Sequence, residues 1–400
     1  MPRTTRARSR GDSVTSVSEE VSETAHAAIR AKKAKKSSRK ETVREDDRQD
    51  ETVTAQAADQ ALVLHEESTP RVLNLAPGRV SELLGPNVQL KGHGGAIYSC
   101  AFDPSGALLA SGSMDKNILL WDVFSKDGCT NYNVLTGHKG AILEVKWLPS
   151  SASSPALVSC SSDKTVSLWD ADKGVRLRKM EEHGAIVNCC NIDALNPHCV
   201  VSGSDDCTAI LWDTRSKETT SLFHDYQVTS AALAEDAKTV YTGGIDNIIR
   251  KWDLRKGELE QAAMTMAGHT DTVTGLSVSP DGNHLLSNSM DCSLRSWNIR
   301  PFVTGAETAE QGAARCEKLM QGVHHGAEKN LLKCSWSPKM DLVTAGSADR
   351  MVHIWDVDTC SPAYLLPGHA GSVNEVVFHP FQPIVASCSS DRCLWLGELA

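Results

Sequence analysis

The chain has 400 residues, with 41 Lys and Arg against 50 Asp and Glu and a formal net charge of −9 when His is neutral. This acidic balance argues against broad, nonspecific binding of nucleic acid by the body of the protein. No apolar run approaches the ~20 residues of a membrane span, and no hydrophobic signal peptide opens the chain. The 13 Cys, an odd number without a C-x-x-C spacing, favour a reduced compartment in which they act as small buried hydrophobes.

Residues 1–86 differ in composition from the rest of the chain. They contain no Trp, Tyr, Phe or Cys and many Ser, Thr, Ala and Glu. Because such a segment buries too little apolar surface to offset its ordering entropy, we predict a largely disordered tail. Within it, residues 30–40 read RAKKAKKSSRK, and this basic cluster indicates a nuclear localisation signal. Residues 61–84 are more apolar, and we expect them to dock on the domain that follows or on a partner.

From residue 88 onward, one pattern recurs seven times with a period of ~40–45 residues. A His is followed about 22 residues later by an Asp, and then in most copies by Trp-Asp. Between them lie short apolar stretches, turns such as Asp103-Pro104-Ser105-Gly106, and segments in which apolar and polar residues alternate. Pro and Gly at these positions favour tight turns, and the alternation predicts β-strands.

This repeat resembles the WD40 repeat, which implies an all-β fold: a seven-bladed β-propeller over residues 87–400 with four strands in each blade. The last repeat ends after its third strand. Residues 87–91 resemble the outer strand that precedes the second repeat, so we predict that they close blade seven. Closure of the ring would protect strand edges from aggregation.

Each repeat contains a His, a Ser or Thr, an Asp and a Trp that could be mistaken for a hydrolase triad. Because the set recurs around the ring, we interpret it as a structural hydrogen-bond network that satisfies a buried carboxylate. A hydrolase in the central channel remains the enzymatic alternative, and we expect no cofactor, metal or small-molecule substrate. The predicted network comprises His93, Ser111, Asp115, Trp121; His138, Ser159, Asp163, Trp169; His183, Ser202, Asp206, Trp212; His224, Thr242, Asp246, Trp252; His269, Ser287, Asp291, Trp297; Asp349, Trp355; and His369, Ser387, Asp391.

Two repeats depart from the pattern. In repeat six, strict spacing puts Ala327 at the His position and Ala345 at the Ser position. In repeat seven, Gly397 stands at the Trp position, and Trp395 comes two residues early. We expect both blades to lack the complete network.

Two columns of residues are predicted to contact partners on the rim of the propeller. The first is the residue before each repeat Asp, where exposed Met and Ile are suited to protein interfaces. The second lies five residues after each His. The predicted partner-binding residues are Met114, Asp205, Ile245 and Met290 in the first column, and Tyr98, Asn188 and Asn374 in the second.

The amino-acid sequences of several segments resemble those of a narrower group, the WD-repeat proteins of the U5 small nuclear ribonucleoprotein. The segments are 243–259, 268–291, 296–302, 328–356, 366–391 and the ending LWLGEL at 394–399. This resemblance implies a non-catalytic, nuclear scaffold for pre-mRNA splicing within the spliceosome. It also implies the large U5 scaffold protein and the U5 GTPase and helicase as partners, with U5 RNA contacted indirectly and no membrane involved.

A different class of function stays open. Substrate receptors of cullin-4 ubiquitin ligases resemble one another in W-D-x-R boxes, and this chain has two on consecutive repeats, ending at Arg215 and Arg255. Each Arg could pair with a carboxylate of the ligase adaptor. The two functions do not exclude each other.

Overall fold

The computed structural model describes residues 81–399 apart from 126–127, 150–154, 194, 235–237, 257–258, 260 and 301–314. The predicted localisation signal and residues 1–80 of the predicted disordered tail therefore lie outside the described residues. The described residues form 28 strands in seven antiparallel sheets of four, which confirms the predicted seven-bladed propeller. None of them forms a helix long and apolar enough to cross a membrane.

Each sheet is one blade, and its strands run from the central channel outward. Blade 1 has β2 (Ile97–Phe102), β3 (Leu108–Ser113), β4 (Ile118–Asp122) and β5 (Thr130–Leu135). Blade 2 has β6 (Ile142–Trp147), β7 (Ala156–Ser161), β8 (Val166–Asp170) and β9 (Val175–Met180). Blade 3 has β10 (Val187–Ile192), β11 (Cys199–Ser204), β12 (Thr208–Asp213) and β13 (Thr219–Phe223). Blade 4 has β14 (Val228–Leu233), β15 (Thr239–Gly244), β16 (Ile248–Asp253) and β17 (Met264–Ala267).

The other three blades repeat this arrangement. Blade 5 has β18 (Val273–Val278), β19 (His284–Ser289), β20 (Ser293–Asn298) and β21 (Cys316–Gln321). Blade 6 has β22 (Cys334–Trp336), β23 (Leu342–Ala345), β24 (Val352–Asp356) and β25 (Pro362–Leu366). Blade 7 has β26 (Val373–Phe378), β27 (Ile384–Ser389), β28 (Cys393–Glu398) and β1 (Asn87–Lys91).

The ring closes through the first strand of the described chain. β1 pairs antiparallel with β28, from Asn87 opposite Gly397 to Lys91 opposite Cys393. Leu90 lies in this pairing and is almost fully buried. The strand at residues 87–91 therefore occupies the outer position of blade 7, as the sequence predicts.

Residues 81–86 are part of the propeller rather than of a disordered tail. The side chain of Leu83 is only 3% exposed and packs in the core between blades 7 and 1. The Ser81 amide donates a hydrogen bond to a Glu398 carboxylate oxygen at 2.9 Å. Residues 81–84, the described end of the apolar segment, thus contact the ring, which is one of the two alternatives expected for that segment.

The core lies between neighbouring blades. Leu120 and Leu135 of blade 1 pack with Ile142 and Trp169 of blade 2, and the other blade pairs form similar clusters. In the inner strands of six blades the register shifts after the first residue, as between Ile97 and the third residue of β2. The second residue of each of these strands forms a β-bulge, so its side chain does not point in the direction that simple alternation along the strand would give.

Candidate functional site

We call the upper face the end of the ring that carries the hairpin between the second and third strands of each blade, and the opposite end the lower face. In blade 1, His93 lies under this hairpin with its Nδ1 2.8 Å from Asp115 Oδ2 and its Nε2 2.8 Å from Ser111 Oγ. The Trp121 indole donates to the same Ser111 hydroxyl at 2.9 Å. A neutral imidazole that donates from Nδ1 and accepts at Nε2 satisfies every group in this chain.

The same four-residue chain recurs in blades 2, 3 and 5. The His to Asp distances are 3.0, 2.9 and 2.9 Å, and the His to Ser distances are 2.8, 2.7 and 2.7 Å. Each Ser hydroxyl also accepts a hydrogen bond from the indole of its Trp. The predicted sets of these blades are thus brought together as complete networks: His138, Ser159, Asp163, Trp169; His183, Ser202, Asp206, Trp212; and His269, Ser287, Asp291, Trp297.

The network controls the ionisation of its carboxylates. Burial raises the pKa of Asp206, but hydrogen bonds from His183 and Thr208 outweigh burial and lower the pKa to about 2. The same balance holds the pKa of Asp163 and of Asp291 well below the usual range. Each Asp is therefore a charged acceptor at neutral pH, held by its His and by the backbone amide that follows the His.

Blade 4 contains the predicted residues but not the complete network. The Trp252 indole donates to Thr242 at 2.8 Å, whereas His224 Nε2 is buried without a hydrogen-bond partner among the described residues. Asp246 instead forms an ion pair with Arg250 at 2.5 Å. Burial, and then the positive charge of Arg250, lower the pKa of His224 to about 4.

Blade 6 replaces the network with apolar side chains. Val323, not Ala327, lies at the His position, because it follows Gly322 with φ +113° just as His138 follows a glycine with φ +141°. Val323 is buried in one cluster with Ala345 and Trp355. The prediction of Ala327 was wrong because the loop after Val323 is four residues longer than in the other blades, which strict spacing cannot detect. The indole of Trp355 now donates to the Gln321 carbonyl at 3.2 Å.

A second imidazole replaces the missing one in blade 6. His353, two residues before the blade's Trp, lies with Nε2 2.7 Å from Asp349 Oδ2. Its ring stacks on the indole of Trp355, with centroids 5.4 Å apart and an angle of 20° between the planes. Asp349 thus keeps a histidine partner, though not the one that the repeat pattern supplies.

Blade 7 keeps most of its network. His369 lies 2.9 Å from Asp391 and 2.9 Å from Ser387. Only the indole donor is missing, because Gly397 occupies the Trp position opposite β1. The indole nitrogen of Trp395 is buried without a hydrogen-bond partner among the described residues. The expectation of an incomplete network is correct for this blade, and the loss is confined to one donor.

These sets resemble serine hydrolase triads in their distances but not in their accessibility. Ser111, Ser159, Ser202 and Ser287 have no solvent-exposed surface, and each hydroxyl is already held by an indole. A substrate carbonyl cannot reach such an oxygen, whereas a nucleophile must contact its substrate. Among the described residues, no group of three or more His, Cys, Asp or Glu side chains is arranged to hold a metal ion.

The first predicted partner column lies on the upper face. Met114 is 57% exposed and Ile245 is 45% exposed, a considerable exposure for large apolar side chains. Met290 and Asp205 are partly exposed. Asp205 also accepts a hydrogen bond from Asn188 at 2.7 Å. The column is therefore open to a partner, most of all at Met114 and Ile245.

The second predicted column does not face solvent, because most of its members are the bulge residues of the inner strands. Asn188 donates to the Val228 carbonyl of blade 4 at 2.9 Å, and Asn374 donates to the Ile97 carbonyl of blade 1 at 2.6 Å. Both are buried, which contradicts their prediction as partner-binding residues. These side chains instead join each blade to the next. Tyr98 alone of the three is partly exposed, in a cavity of about 200 Å³ at the upper mouth of the channel.

The central channel contains a charged cluster that sequence reasoning missed. Lys146 Nζ lies 3.0 Å from Glu375 and 3.3 Å from Glu144. Lys333 Nζ lies 2.7 Å from Glu144 and thereby links blade 6 to blade 2 across the channel. Burial raises the pKa of Glu144, but Lys333 and Lys146 outweigh it and keep the pKa below its ordinary value. The sequence did contain a signal for this cluster. Glu144, Lys146 and Glu375 are charged residues in inner strands, where other blades have small side chains.

The two arginines of the W-D-x-R boxes lie on the lower face. Arg215 and Arg255 each pair with the Asp of their own box, Asp213 at 3.3 Å and Asp253 at 2.8 Å. Both side chains are 64% exposed. The two arginines therefore present the same geometry on adjacent blades.

The repeats of this chain match one protein family along the propeller. The family described as WD domain, G-beta repeat matches residues 85–122, 129–170, 174–213, 216–253, 261–298, 318–356 and 360–396. The chain is 43% identical to the U5 small nuclear ribonucleoprotein 40 kDa protein of Dictyostelium discoideum, over 82% of this chain and 89% of that protein. It is 44% identical to the human protein of the same name, over 84% and 90%.

A fission-yeast relative has a different name. The pre-mRNA-splicing factor cwf17 of Schizosaccharomyces pombe is 42% identical over 80% of this chain and 90% of that protein. The alignments cover most of both chains in each case, at identities well above those that show the fold alone. The chain therefore belongs to the WD40-repeat family and, within it, to the group of the U5 small nuclear ribonucleoprotein 40 kDa proteins.

Proposed function

We propose that this protein is a non-catalytic interaction scaffold of the U5 small nuclear ribonucleoprotein that acts in pre-mRNA splicing within the spliceosome. The observation that carries the proposal is the 42–44% identity to proteins named for U5 and for splicing, over at least 80% of this chain. The buried hydroxyls of the His–Ser–Asp sets support a non-catalytic role, because a scaffold uses surfaces rather than a reactive group.

The proposed partners are the large U5 scaffold protein and the U5 GTPase and helicase, with U5 RNA held through these proteins. The contact surface is the upper face around Met114, Ile245 and Met290. Large apolar side chains that stay exposed in a folded domain are candidates for interface hot spots. A nuclear location follows from this function and from the basic run at residues 30–40.

Two aspartates on the upper face test this surface. Ile245→Asp together with Met290→Asp should leave the propeller folded and reduce co-purification of the U5 proteins, since a buried charge in an interface is costly. The matched control replaces two exposed apolar residues of the lower face, Leu195→Asp with Phe381→Asp. Equal recovery of U5 proteins with both variants would refute the upper-face assignment.

The ligase alternative has its own test on the lower face. Arg215→Ala with Arg255→Ala should abolish binding of the cullin-4 adaptor if the protein is a substrate receptor. Association with U5 proteins should remain unchanged, because these side chains lie at the opposite end of the blades from Met114. Adaptor binding that survives both substitutions would remove the W-D-x-R boxes as its basis.

A further inference from the structure

The tip of the upper hairpin has the same backbone conformation in all blades but not the same charge. The residue after the repeat Asp is left-handed in each blade, with φ between 62° and 73°. Blades 6, 7, 1 and 2 are consecutive around the ring and all have a basic residue there. Blades 3, 4 and 5 have neutral residues. The tip residues are Arg350, Arg392, Lys116 and Lys164 in the first group and Cys207, Asn247 and Cys292 in the second.

These four basic tips are exposed, and we call them the basic arc. The side chains of Lys116, Arg350 and Arg392 form no ion pair or hydrogen bond with another described residue. Lys164 Nζ donates a hydrogen bond to the Gly184 carbonyl at 2.8 Å. Exposed Lys91, Lys139 and Lys329 extend the basic arc on the same blades.

The remaining blades give the upper face the opposite sign. Exposed acidic residues lie in the loops that lead into blades 3, 4 and 5, namely Glu182, Asp225, Asp271 and Glu181, the last of which is paired with Lys179. Glu328 is the exposed carboxylate beside the basic arc, and it accepts hydrogen bonds from Asn330 and Ser372 at 3.0 Å each. A charge division of this kind selects and orients a charged partner.

The basic arc borders a cavity that is partly apolar. Between blades 6 and 7 lies a cavity of about 320 Å³, lined by the apolar Ala327, Leu332 and Ala348 and by the charged Glu328, Lys329 and Arg350, among others. Next to the basic tip of blade 1, Met114 is 57% exposed. A partner that fits this surface supplies carboxylates for the tips and an apolar side chain for the cavity.

We propose that the basic arc of blades 6, 7, 1 and 2 binds an acidic, partly apolar peptide segment of a partner protein. This inference deepens the proposed function and rests on it only for the identity of the complex. Single-stranded RNA fits less well, because it binds where bases stack on exposed aromatic rings. The upper hairpins of blades 6, 7, 1 and 2 contain no Phe, Tyr or Trp, and the partly exposed Tyr98 of blade 1 lies at the mouth of the channel instead. The acidic half of the face would also repel a long polyanion.

The test uses the purified full-length chain and a fluorescein-labelled peptide of alternating Glu and Leu, with binding read by fluorescence anisotropy. The arc variant is Lys116→Asn, Arg350→Asn and Arg392→Asn. Asn is tolerated at this backbone position because blade 4 has Asn247 there. The control is Lys217→Asn, Lys256→Asn and Lys339→Asn, which removes the same charge from exposed lower-face loops.

We expect the arc variant to bind the peptide about tenfold more weakly than the wild type at low ionic strength. We expect the control variant to bind like the wild type, and a peptide with Lys in place of Glu not to bind. Equal affinities of the arc variant and the control, or no binding by the wild type, would overturn the proposal. Tighter binding of an oligouridine RNA, lost in the arc variant, would overturn it in favour of nucleic acid. Because U5 membership is measured separately by co-purification, failure of the peptide leaves the proposed function standing.

Discussion

Replacing Ser111 with alanine removes the one hydroxyl that joins an imidazole to an indole in blade 1. Ser111 Oγ lies 2.8 Å from His93 Nε2 and 2.9 Å from Trp121 Nε1, and the residue has no exposed surface. The variant therefore leaves two buried nitrogen groups without a partner. At about 1–3 kcal/mol for each unsatisfied buried group, we expect Ser111→Ala to lower the free energy of unfolding by about 2–6 kcal/mol.

Blade 6 shows how the same site can be apolar without this cost. There Val323 and Ala345 replace the imidazole and the hydroxyl, and the indole bonds to the Gln321 carbonyl. We therefore expect His93→Val with Ser111→Ala to be less destabilising than the sum of the two single substitutions. The coupling should be about 1–3 kcal/mol, because removing both partners leaves fewer buried groups unpaired.

Urea unfolding of the wild type, the two single variants and the double variant measures this coupling. Tryptophan fluorescence and far-ultraviolet circular dichroism must give coincident transitions for the free energies to be comparable. A loss below about 0.5 kcal/mol for Ser111→Ala, which is typical of surface positions, would refute the structural reading of the network. Additive single and double variants would refute the proposed coupling.

Three further predictions concern pH, the channel and the docked segment. The pKa of His224 is lowered from 6.5 to about 4 in the folded protein, so the unfolded chain takes up the proton first as the pH falls. The wild type should therefore lose stability relative to His224→Phe between pH 6.5 and 4. Urea unfolding of both proteins across that range measures the difference. Glu375→Gln removes one partner of Lys146 and should lower the free energy of unfolding by about 3–5 kcal/mol. The loss should be smaller when Lys146→Met is also present. Equal losses with and without Lys146→Met would exclude coupling across the channel. Leu83→Ala should cost about 2–5 kcal/mol in the same assay, and a neutral result would show that residues 81–86 do not contribute to the fold.

The sequence predicted most of the architecture because each repeat contains several characteristic residues at nearly fixed spacing. Blade number, strand alternation and the closing strand at residues 87–91 all follow from the spacing of His, Asp and Trp. The network residues of blades 1, 2, 3 and 5 were found for the same reason. In these four blades the partly buried Asp has the same kinds of hydrogen-bond partner, so the same residue types recur at the same spacing.

The errors lie where the chain leaves the repeat. A four-residue insertion after Val323 moved the structural His position from Ala327 to Val323. The bulge in each inner strand turned Asn188 and Asn374 toward the next blade, although simple alternation places them on the surface. The channel cluster of Glu144 and its lysines depends on contacts between blades 2, 6 and 7, which no local pattern encodes.

The most direct test of the central claim is the composition of the complex that contains this protein. A tagged full-length chain is purified from nuclear extract at moderate salt, and the eluate is analysed by RNA sequencing and mass spectrometry. The proposed function predicts U5 RNA and the large U5 proteins in near-stoichiometric amounts. Cullin-4 and its adaptor without U5 RNA would contradict it.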